Sequence, residues 1–453
     1  MRHPIRRETT TVICALLLVS LFEVSCQGRV FHRAVHGPMV GHTTSEEALI
    51  WIRTGYPTIV RVRFGLDPSR LTQLSEVART GIDGDYTGVM RLRGLRPDQR
   101  YYYRVEATEG VISRQTESFR TPPRTGGLVR IAFGSCMRFE DLSIFDAVLK
   151  NDPHLLLLLG DNGYSDTADV PSIQRSYRWF RERPYFEETL ARTPTLAIWD
   201  DHDFLGNNTD GTRPGKEGSL RAFRQYWANP SYGLPGTPGV FFKTRFGDVE
   251  IFMLDGRYNR RVEPGSMLGT AQREWLLRSL RESTAAVKIL ASGSSWGSSN
   301  SSDSWAAFRS ERDQIFDLVM RESIGGVILI AGDIHRPAVF RHEVDQANAY
   351  PLYELISSPL SNNVRSCGSG QSAGMLFCKS VLNFGLLHID TRRQPATITY
   401  ELRGPKNIVH YRLQLRVDQL QTKTSHVQPP RCGIDDATGP RTSCRPILRS
   451  ARR

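Results

Sequence analysis

The pattern of apolar and polar positions divides the chain into two regions of different character. Between residues 40 and 121, short runs of β-forming residues alternate with turn-rich segments such as Asp67-Pro68-Ser69. This pattern is typical of an antiparallel β-sandwich. Tyr101 starts a late run directly after a tight turn, which predicts a tyrosine corner. We therefore expect an immunoglobulin- or fibronectin-like β-sandwich over residues 38–122, followed by a turn-rich linker that ends at residue 127.

From residue 128 onward, fully apolar runs alternate with helical patterns. This alternation predicts an α/β domain with buried, mixed sheets over residues 128–417. The five leucines at 155–159 suit a helix or a strand, but Pro153 before them and Gly160 after them favour a short buried strand. Beyond residue 350, β-like segments predict antiparallel strands that complete a sheet. The predicted strands are 129–133, 154–159, 195–199, 249–254, 288–292 and 327–330, and the predicted helices are 142–150, 173–190, 271–281 and 306–322.

The first residues have the order of a secretory signal peptide. Arginines at positions 2, 6 and 7 precede an apolar run over 11–22, and small residues follow near Cys26. The apolar run is too short to span a bilayer, so no transmembrane span is expected. We predict a leader over residues 1–26 and a secreted, periplasmic or cell-surface protein, with Cys26 as an alternative lipid anchor. A buried amino-terminal helix is the competing interpretation.

The cysteines agree with an oxidising compartment. Of seven cysteines, four lie beyond the leader and outside the strand-end motif that contains Cys136. An even number in an exported chain predicts two disulfides. Local pairing is the simplest of the three connectivities, and it joins Cys367 to Cys378 and Cys432 to Cys444.

The charge is basic and uneven. The chain has 59 Lys and Arg against 47 Asp and Glu, a formal net charge of +12. Residues 418–453 form a basic, cysteine-containing tail. A net positive charge is typical of proteins that bind nucleic acid or anionic membranes, and also of enzymes that attract phosphate-bearing substrates. The sequence has no run of basic residues interleaved with aromatic residues, and it has no zinc-finger or helix-turn-helix spacing. We therefore expect no nucleic-acid-binding module. Nothing in the pattern predicts an oligomeric state.

Polar residues collect directly after five of the apolar runs. Each motif alone has an ordinary interpretation, such as a turn for Gly-Asp or a buried small side chain for Cys136. The carboxyl ends of strands in an α/β sheet meet at one crevice, so these residues are expected to converge. Several carboxylates in one crevice repel each other, and a bound cation removes that cost. The sequence therefore predicts a metal site formed by residues 134–136, 160–164, 200–203, 255–258 and 332–336.

Taken in order, these motifs resemble the PhoD-type alkaline phosphatases and phosphodiesterases, which belong to the metallo-dependent, calcineurin-like phosphatases. The resemblance implies an exported phosphoester hydrolase in which a sandwich module precedes the catalytic domain. It also implies a ferric ion and calcium ions in the crevice. The matching motifs are Cys136 in Gly-Ser-Cys, Asp161 and Tyr164 in Gly-Asp-Asn-Gly-Tyr, Trp199-Asp200-Asp201-His202-Asp203 with Asn207 beyond, Leu254-Asp255-Gly256-Arg257, and Gly332-Asp333-Ile334-His335.

The resemblance also assigns roles to individual residues. A thiolate and a phenolate suit Fe³⁺, whereas oxygen and imidazole donors suit Ca²⁺, Mn²⁺ or Zn²⁺ at a second position. Asp161 is the expected bridging ligand, and Asn207 is preferred over Asn208. The expected reaction is in-line attack on phosphorus by water that two metals activate. The expected metal ligands are Cys136, Asp161, Tyr164, Asp201, Asn207, Asp333 and His335; His202 is the candidate acid, and Arg257 and Arg336 are candidate phosphate-binding residues.

Two other functions compete with this interpretation. Ser295 lies in Gly-Ser-Ser-Trp-Gly, which matches a nucleophile elbow, and Asp333 and His335 follow in the order of a serine hydrolase. However, the residues after Ser295 are poor helix formers, and an acid and a histidine two positions apart do not line up behind a serine. A non-enzymatic adhesion protein built on the sandwich leaves the ligand-type residues of the other domain unexplained.

Overall fold

The computed structural model describes residues 34–297, 302–368 and 373–423. The predicted leader, Cys26, the Cys432–Cys444 pair and most of the basic tail lie outside these residues. Cys367 and Cys378 lie within them and form the predicted disulfide, with an S–S distance of 2.10 Å. In the described ranges, no helix is both long and apolar enough to cross a membrane.

The amino-terminal region is all-β, as the alternating pattern predicted. Its two sheets have the orders β1-β2-β6 and β4-β3-β7-β8, with β5 and β9 added to β3 and β7. The tyrosine corner is present, because the amide of Arg96 donates to the Tyr101 hydroxyl at 2.9 Å. The strands are β1 (His36–Thr43), β2 (Glu47–Arg53), β3 (Thr58–Gly65), β4 (Gln73–Leu74), β5 (Ala78–Thr80), β6 (Thr87–Arg93), β7 (Arg100–Ala107), β8 (Gly110–Val111) and β9 (Glu117–Arg120).

The rest of the described chain forms two larger sheets that share one hydrophobic core. The first has the order β12-β11-β10-β22-β23-β24 and the second β15-β16-β17-β18-β20-β19-β21. The strands β13 (Gly233–Leu234) and β14 (Thr237–Pro238) form a separate two-stranded sheet. The strands of the two larger sheets are β10 (Leu128–Gly134), β11 (Leu155–Leu159), β12 (Thr195–Ile198), β15 (Phe242–Phe246), β16 (Val249–Met253), β17 (Val287–Ser292), β18 (Val327–Ala331), β19 (Ala338–His342), β20 (Leu352–Ile356), β21 (Met375–Cys378), β22 (Phe384–Asp390), β23 (Thr397–Arg403) and β24 (Val409–Arg416).

Both sheets are mixed, which confirms the predicted fold class. The pairs β10–β11 and β11–β12 are parallel, whereas β10–β22 is antiparallel. All five leucines of β11 are buried, as expected for a strand covered on both faces. The α-helices are α1 (Ile144–Lys150), α2 (Val170–Arg181), α3 (Pro184–Arg192), α4 (Asp201–Phe204), α5 (Lys216–Tyr226), α6 (Gly269–Glu282) and α7 (Arg309–Arg321).

One predicted helix is wrong in its extent. The expected helix over 173–190 is two helices, because α2 ends before Pro184 and α3 begins at it. Proline has no amide hydrogen to continue a helical ladder but suits a first helical position. The short helix α4 and helix α5 were not predicted, and α4 carries part of the acidic motif after β12.

Candidate metal centre

Neighbouring parallel strands bring the acidic motifs to one edge of the first sheet. Cys136 follows β10, Asp161 follows β11 and Asp201 begins α4 directly after β12. Cys136 Sγ lies 3.4 Å from Asp161 Oδ2 and 3.8 Å from the backbone oxygen of Asp333, which follows β18 in the other sheet. The Tyr164 hydroxyl donates to Asp161 Oδ2 at 2.9 Å. The ends of strands from both sheets therefore form a single crevice.

Asp161 is the centre of this crevice. Two groups of possible ligand atoms include it: one with Cys136 and His335, and one with Asp201 and His202. Within each group, the ligand atoms lie within 4.8 Å of one another. Asp161 and Asp201 are buried, and His202 and His335 are partly exposed. This arrangement allows two neighbouring cations to share one carboxylate.

The backbone around the crevice is strained. Cys136, Asp161, Asp333 and His335 have φ values of 62°, 54°, 70° and 54°. These values lie in the left-handed region, which residues with a Cβ seldom adopt, and such residues concentrate at functional sites. Cys136, Asp161 and Asp333 each lie two residues after the end of a strand, so this backbone conformation recurs where the strands open into the crevice.

The protein groups alone make this pocket electrostatically unfavourable. Burial, followed by the charges of Asp201 and Asp200, raises the pKa of Asp161 well above its usual range. Burial and the charges of Asp161 and Asp333 likewise raise the pKa of the Cys136 thiol. A cation supplies the opposite charge that these buried acids require. The donor set of carboxylates, a thiol, a phenol and imidazoles therefore fits a metal centre.

Several residues outside the predicted ligand set surround these groups. The Asn362 side-chain amide donates to the Tyr164 hydroxyl at 2.6 Å and lies 3.3 Å from His335 Nε2. The hydroxyls of Ser135 and Ser358 each lie 3.3 Å from Cys136 Sγ. Ser358 and Asn362 follow β20, so the strand-end rule applied to that strand would have identified this segment.

His202 is held by a carboxylate that the sequence interpretation missed. Its Nδ1 lies 2.5 Å from Asp166 Oδ1, and its ring centroid is 4.2 Å from that of Tyr164. Burial of the ring lowers the pKa of His202, but the Asp166 hydrogen bond and the charge of Asp201 outweigh it, so the pKa is raised. The imidazole is therefore oriented at the crevice and biased toward carrying a proton.

The two predicted phosphate-binding arginines occupy different environments. Arg257 is 0% exposed, and its guanidinium bonds to Asp200 and, through two nitrogens, to Asp303. This placement contradicts the expectation that Arg257 contacts phosphate, because its donors are already used inside the protein. Arg336 is partly exposed, and its Nε has no hydrogen-bond partner among the described residues. Arg336 therefore has donors available for an anion.

Asn207 and Asn208, the two alternatives for one ligand position, follow helix α4. Asn207 and Asn208 are both exposed, and the amide of Asn208 donates to Asp201 Oδ2 at 2.8 Å.

Ser295 is fully buried, and its hydroxyl has no hydrogen-bond partner in the described part of the chain. A serine nucleophile needs a base within hydrogen-bonding reach, so this environment does not support the serine hydrolase alternative.

Comparison with known proteins agrees with this geometry. Residues 131–381 match the family described as PhoD-like phosphatase, and residues 32–125 match a domain of unknown function (DUF7800). Purple acid phosphatase 23 of Arabidopsis thaliana is 23% identical over 269 residues, 53% of this chain and 55% of that protein. The chain thus spans about half of this curated relative.

Two solved structures share the fold. The structure of PhoD superposes with a TM-score of 0.73 at 16% identity, covering 88% of this chain and 93% of that one. Purple acid phosphatase PPD1 from yellow lupin (Lupinus luteus) seeds gives a TM-score of 0.66 at 13% identity, covering 84% and 74%. The fold is therefore of the metallophosphatase type, with an acid-lined crevice at the strand ends. Because the family match covers more than half of its length, the chain belongs to the PhoD-like phosphatase family.

Proposed function

We propose that this chain hydrolyses phosphoesters with two cations that share Asp161. The observation that carries the proposal is the position of Asp161 in both groups of ligand atoms. Cys136, Tyr164 and His335 would hold Fe³⁺ on one side, since a thiolate and a phenolate stabilise a highly charged ion. On the other side, the harder oxygen donors of Asp201, Asp333 and Asn207 would hold Ca²⁺, Mn²⁺ or Zn²⁺.

When bound, such cations polarise phosphoryl oxygens and lower the pKa of water, which is the chemistry that ester hydrolysis needs. His202 would give its proton to the leaving oxygen. Asp166 would keep the imidazole oriented, because it lies 2.5 Å from Nδ1 and leaves Nε2 to face the substrate. Arg336 would bind the phosphate with its unused donors. Arg257 would stabilise the fold around the crevice through its ion pairs with Asp200 and Asp303 rather than contact the substrate.

The proposed enzyme acts outside the cytoplasm. The signal-peptide order of residues 1–26 supports export, and the Cys367–Cys378 disulfide is typical of an oxidising compartment. The proposed substrate is a phosphate ester.

The test is hydrolysis of an aryl phosphate monoester and a bis-aryl phosphate diester by the purified protein. We expect activity that a chelator abolishes and that Asp161→Asn reduces to the chelated background. Ser295→Ala is the matched control: it removes a buried polar group elsewhere and should retain activity. Loss of activity in Ser295→Ala with full activity in Asp161→Asn would overturn the proposal.

The iron assignment has its own spectroscopic test. A phenolate bound to Fe³⁺ absorbs visible light, so the purified protein should be coloured and Tyr164→Phe should be bleached. A colourless, iron-free protein with full hydrolytic activity would contradict the Fe³⁺ assignment while leaving the hydrolase assignment in place.

A further inference from the structure

A buried carboxylate outside the proposed ligand set joins the two loops that carry Asp161 and Asp201. Asp203 is 1% exposed, and its oxygens accept from the amide of Asn162 at 3.0 and 3.1 Å. They also accept from the amide of Asp200 at 3.2 Å. Asn162 directly follows Asp161, and Asp200 directly precedes Asp201. Asp203 therefore fixes the distance between the loop after β11 and the loop after β12.

Helix α2 holds this carboxylate in place. The Tyr177 hydroxyl donates to Asp203 Oδ1 at 3.2 Å, from a side chain that is itself buried. One turn further along the helix, Arg181 Nη1 donates to the backbone oxygen of Tyr177 at 3.1 Å. The position of Asp203 thus depends on Tyr177, and the position of Tyr177 depends on Arg181.

Arg181 is a buried cation in an aromatic cage. Its guanidinium carbon lies 4.9, 5.9, 5.1 and 4.5 Å from the ring centroids of Trp51, Tyr177, Tyr226 and Trp227. Within the described residues it forms no ion pair with a carboxylate, and burial lowers its pKa to about 10. A desolvated guanidinium without an anion depends on ring faces and carbonyl oxygens for stabilisation. Loss of one wall of the cage should let Arg181 and α2 move.

One wall of the cage comes from the amino-terminal β region. Trp51 lies on β2, and its indole nitrogen donates to the backbone oxygen of Gln225 at 2.7 Å. Residues alternate along β2: Ile50 and Ile52 pack in the core of the β region, whereas Leu49 and Trp51 pack in the core of the two larger sheets. Strands β1 and β2 are therefore largely buried on both faces, and one of these faces is part of the core of the two larger sheets.

We propose that the amino-terminal β region, which matches a domain of unknown function, is a positioning element of the metal centre. Trp51 closes the cage around Arg181, Arg181 holds Tyr177, and the Tyr177 hydroxyl holds Asp203, which joins the loops of Asp161 and Asp201. The consequence for metal binding rests on the proposed function, but the coupling between the β region and these loops does not.

The first experiment is amide hydrogen exchange on the full chain without added metal, followed over residues 160–164 and 199–203. Tyr177→Phe removes the hydroxyl that reaches Asp203, and exchange at Asn162 and Asp200 should become about 10-fold faster or more, as expected when a buried carboxyl group loses one of its hydrogen bonds. Tyr226→Phe is the matched control, because its hydroxyl reaches Asp85 while its ring stays against Arg181. Equal exchange in wild type and Tyr177→Phe would overturn the proposal.

The second experiment tests the β region itself. Trp51→Ala should accelerate exchange in the same two loops, and Trp51→Phe, which keeps a ring over Arg181, should largely restore it. Val62→Ala is the control, since Val62 packs only in the core of the β region. Acceleration in Val62→Ala equal to that in Trp51→Ala would overturn the proposal, because it would show a general loss of stability. If Trp51→Ala does not fold, Trp51→Leu replaces it, because leucine keeps apolar bulk at this position but removes the ring over Arg181. Exchange in Trp51→Leu equal to that in Trp51→Phe would overturn the proposal.

Metal binding gives a separate readout. Calorimetric titration of the metal-free full chain with Ca²⁺ should show weaker binding, by about 10-fold or more, in Tyr177→Phe than in Tyr226→Phe. Absence of Ca²⁺ binding in the wild type would contradict the proposed Ca²⁺ site, and the exchange data would still test the coupling. Faster exchange with unchanged Ca²⁺ affinity would overturn the positioning role.

Discussion

Replacement of Arg257 by lysine is expected to destabilise the fold rather than weaken substrate binding. The guanidinium donates to Asp200 Oδ1 at 2.5 Å and to the two oxygens of Asp303 at 2.8 and 2.6 Å. All three residues are buried, so solvent screens these ion pairs little. A lysine ammonium cannot reach both carboxylates in this forked geometry, and at least two bonds are lost. At 1.5–3 kcal/mol for each charge-assisted bond, the free energy of unfolding should fall by about 3–6 kcal/mol.

The assay combines chemical denaturation with steady-state kinetics on an aryl phosphate. Arg336→Lys is the matched control, because it makes the same change at a partly exposed position beside the crevice. It should change the free energy of unfolding by less than about 1 kcal/mol and raise KM. Arg257→Lys should do the reverse, with reduced stability and a nearly unchanged KM. The reasoning is refuted if Arg257→Lys keeps the wild-type stability and raises KM.

Other expectations concern pH, proton transfer and the disulfide. Burial, then the charge of Arg130, lowers the pKa of His154 to about 4, below its ordinary 6.5. As the pH falls from 6.5 to 4, His154 is therefore protonated in the unfolded chain before it is protonated in the folded protein. The free energy of unfolding should decline by up to about 3 kcal/mol over this range. His154→Asn removes the titrating imidazole and keeps an acceptor for the Arg130 amide. The free energy of unfolding, measured by urea denaturation, should therefore depend less on pH in this variant; an unchanged slope contradicts this. Asp166→Asn should lower kcat about 10-fold for an alkyl ester and less for an aryl ester; equal losses argue against the acid role of His202. Serine at both Cys367 and Cys378 should lower the free energy of unfolding by about 3 kcal/mol, given the 11-residue separation; an unchanged denaturation midpoint contradicts this.

The strand-end motifs were predictable because their placement follows from local pattern. Apolar runs mark the buried strands, and parallel neighbours such as β10 and β11 bring the residues after them to one edge. This reasoning is sufficient to bring Cys136 and Asp161 together, as the 3.4 Å distance between Sγ and Oδ2 confirms. The assignment of individual ions to these residues stays a prediction.

The contacts of the surrounding residues were not predictable because they join distant parts of the chain, although the strand-end rule identifies the segment after β20. Asn362 contacts Tyr164 across 198 residues of sequence, next to an isolated bridge that pairs residues 137 and 361. Arg257 illustrates the same limit: a charged residue after a strand suggested a ligand-binding role, but its partner Asp303 lies 46 residues further along the chain. Sequence pattern identifies a charge at a strand end, and the fold decides whether a protein carboxylate or a substrate neutralises it.

The most direct test is anomalous diffraction from crystals of the protein grown with iron and calcium. The account predicts an iron peak about 2.0–2.6 Å from donor atoms of Asp161, Cys136 and Tyr164, and a second ion that contacts both Asp161 and Asp201. Metal peaks elsewhere, with none beside Asp161 in crystals of an active preparation, would contradict it.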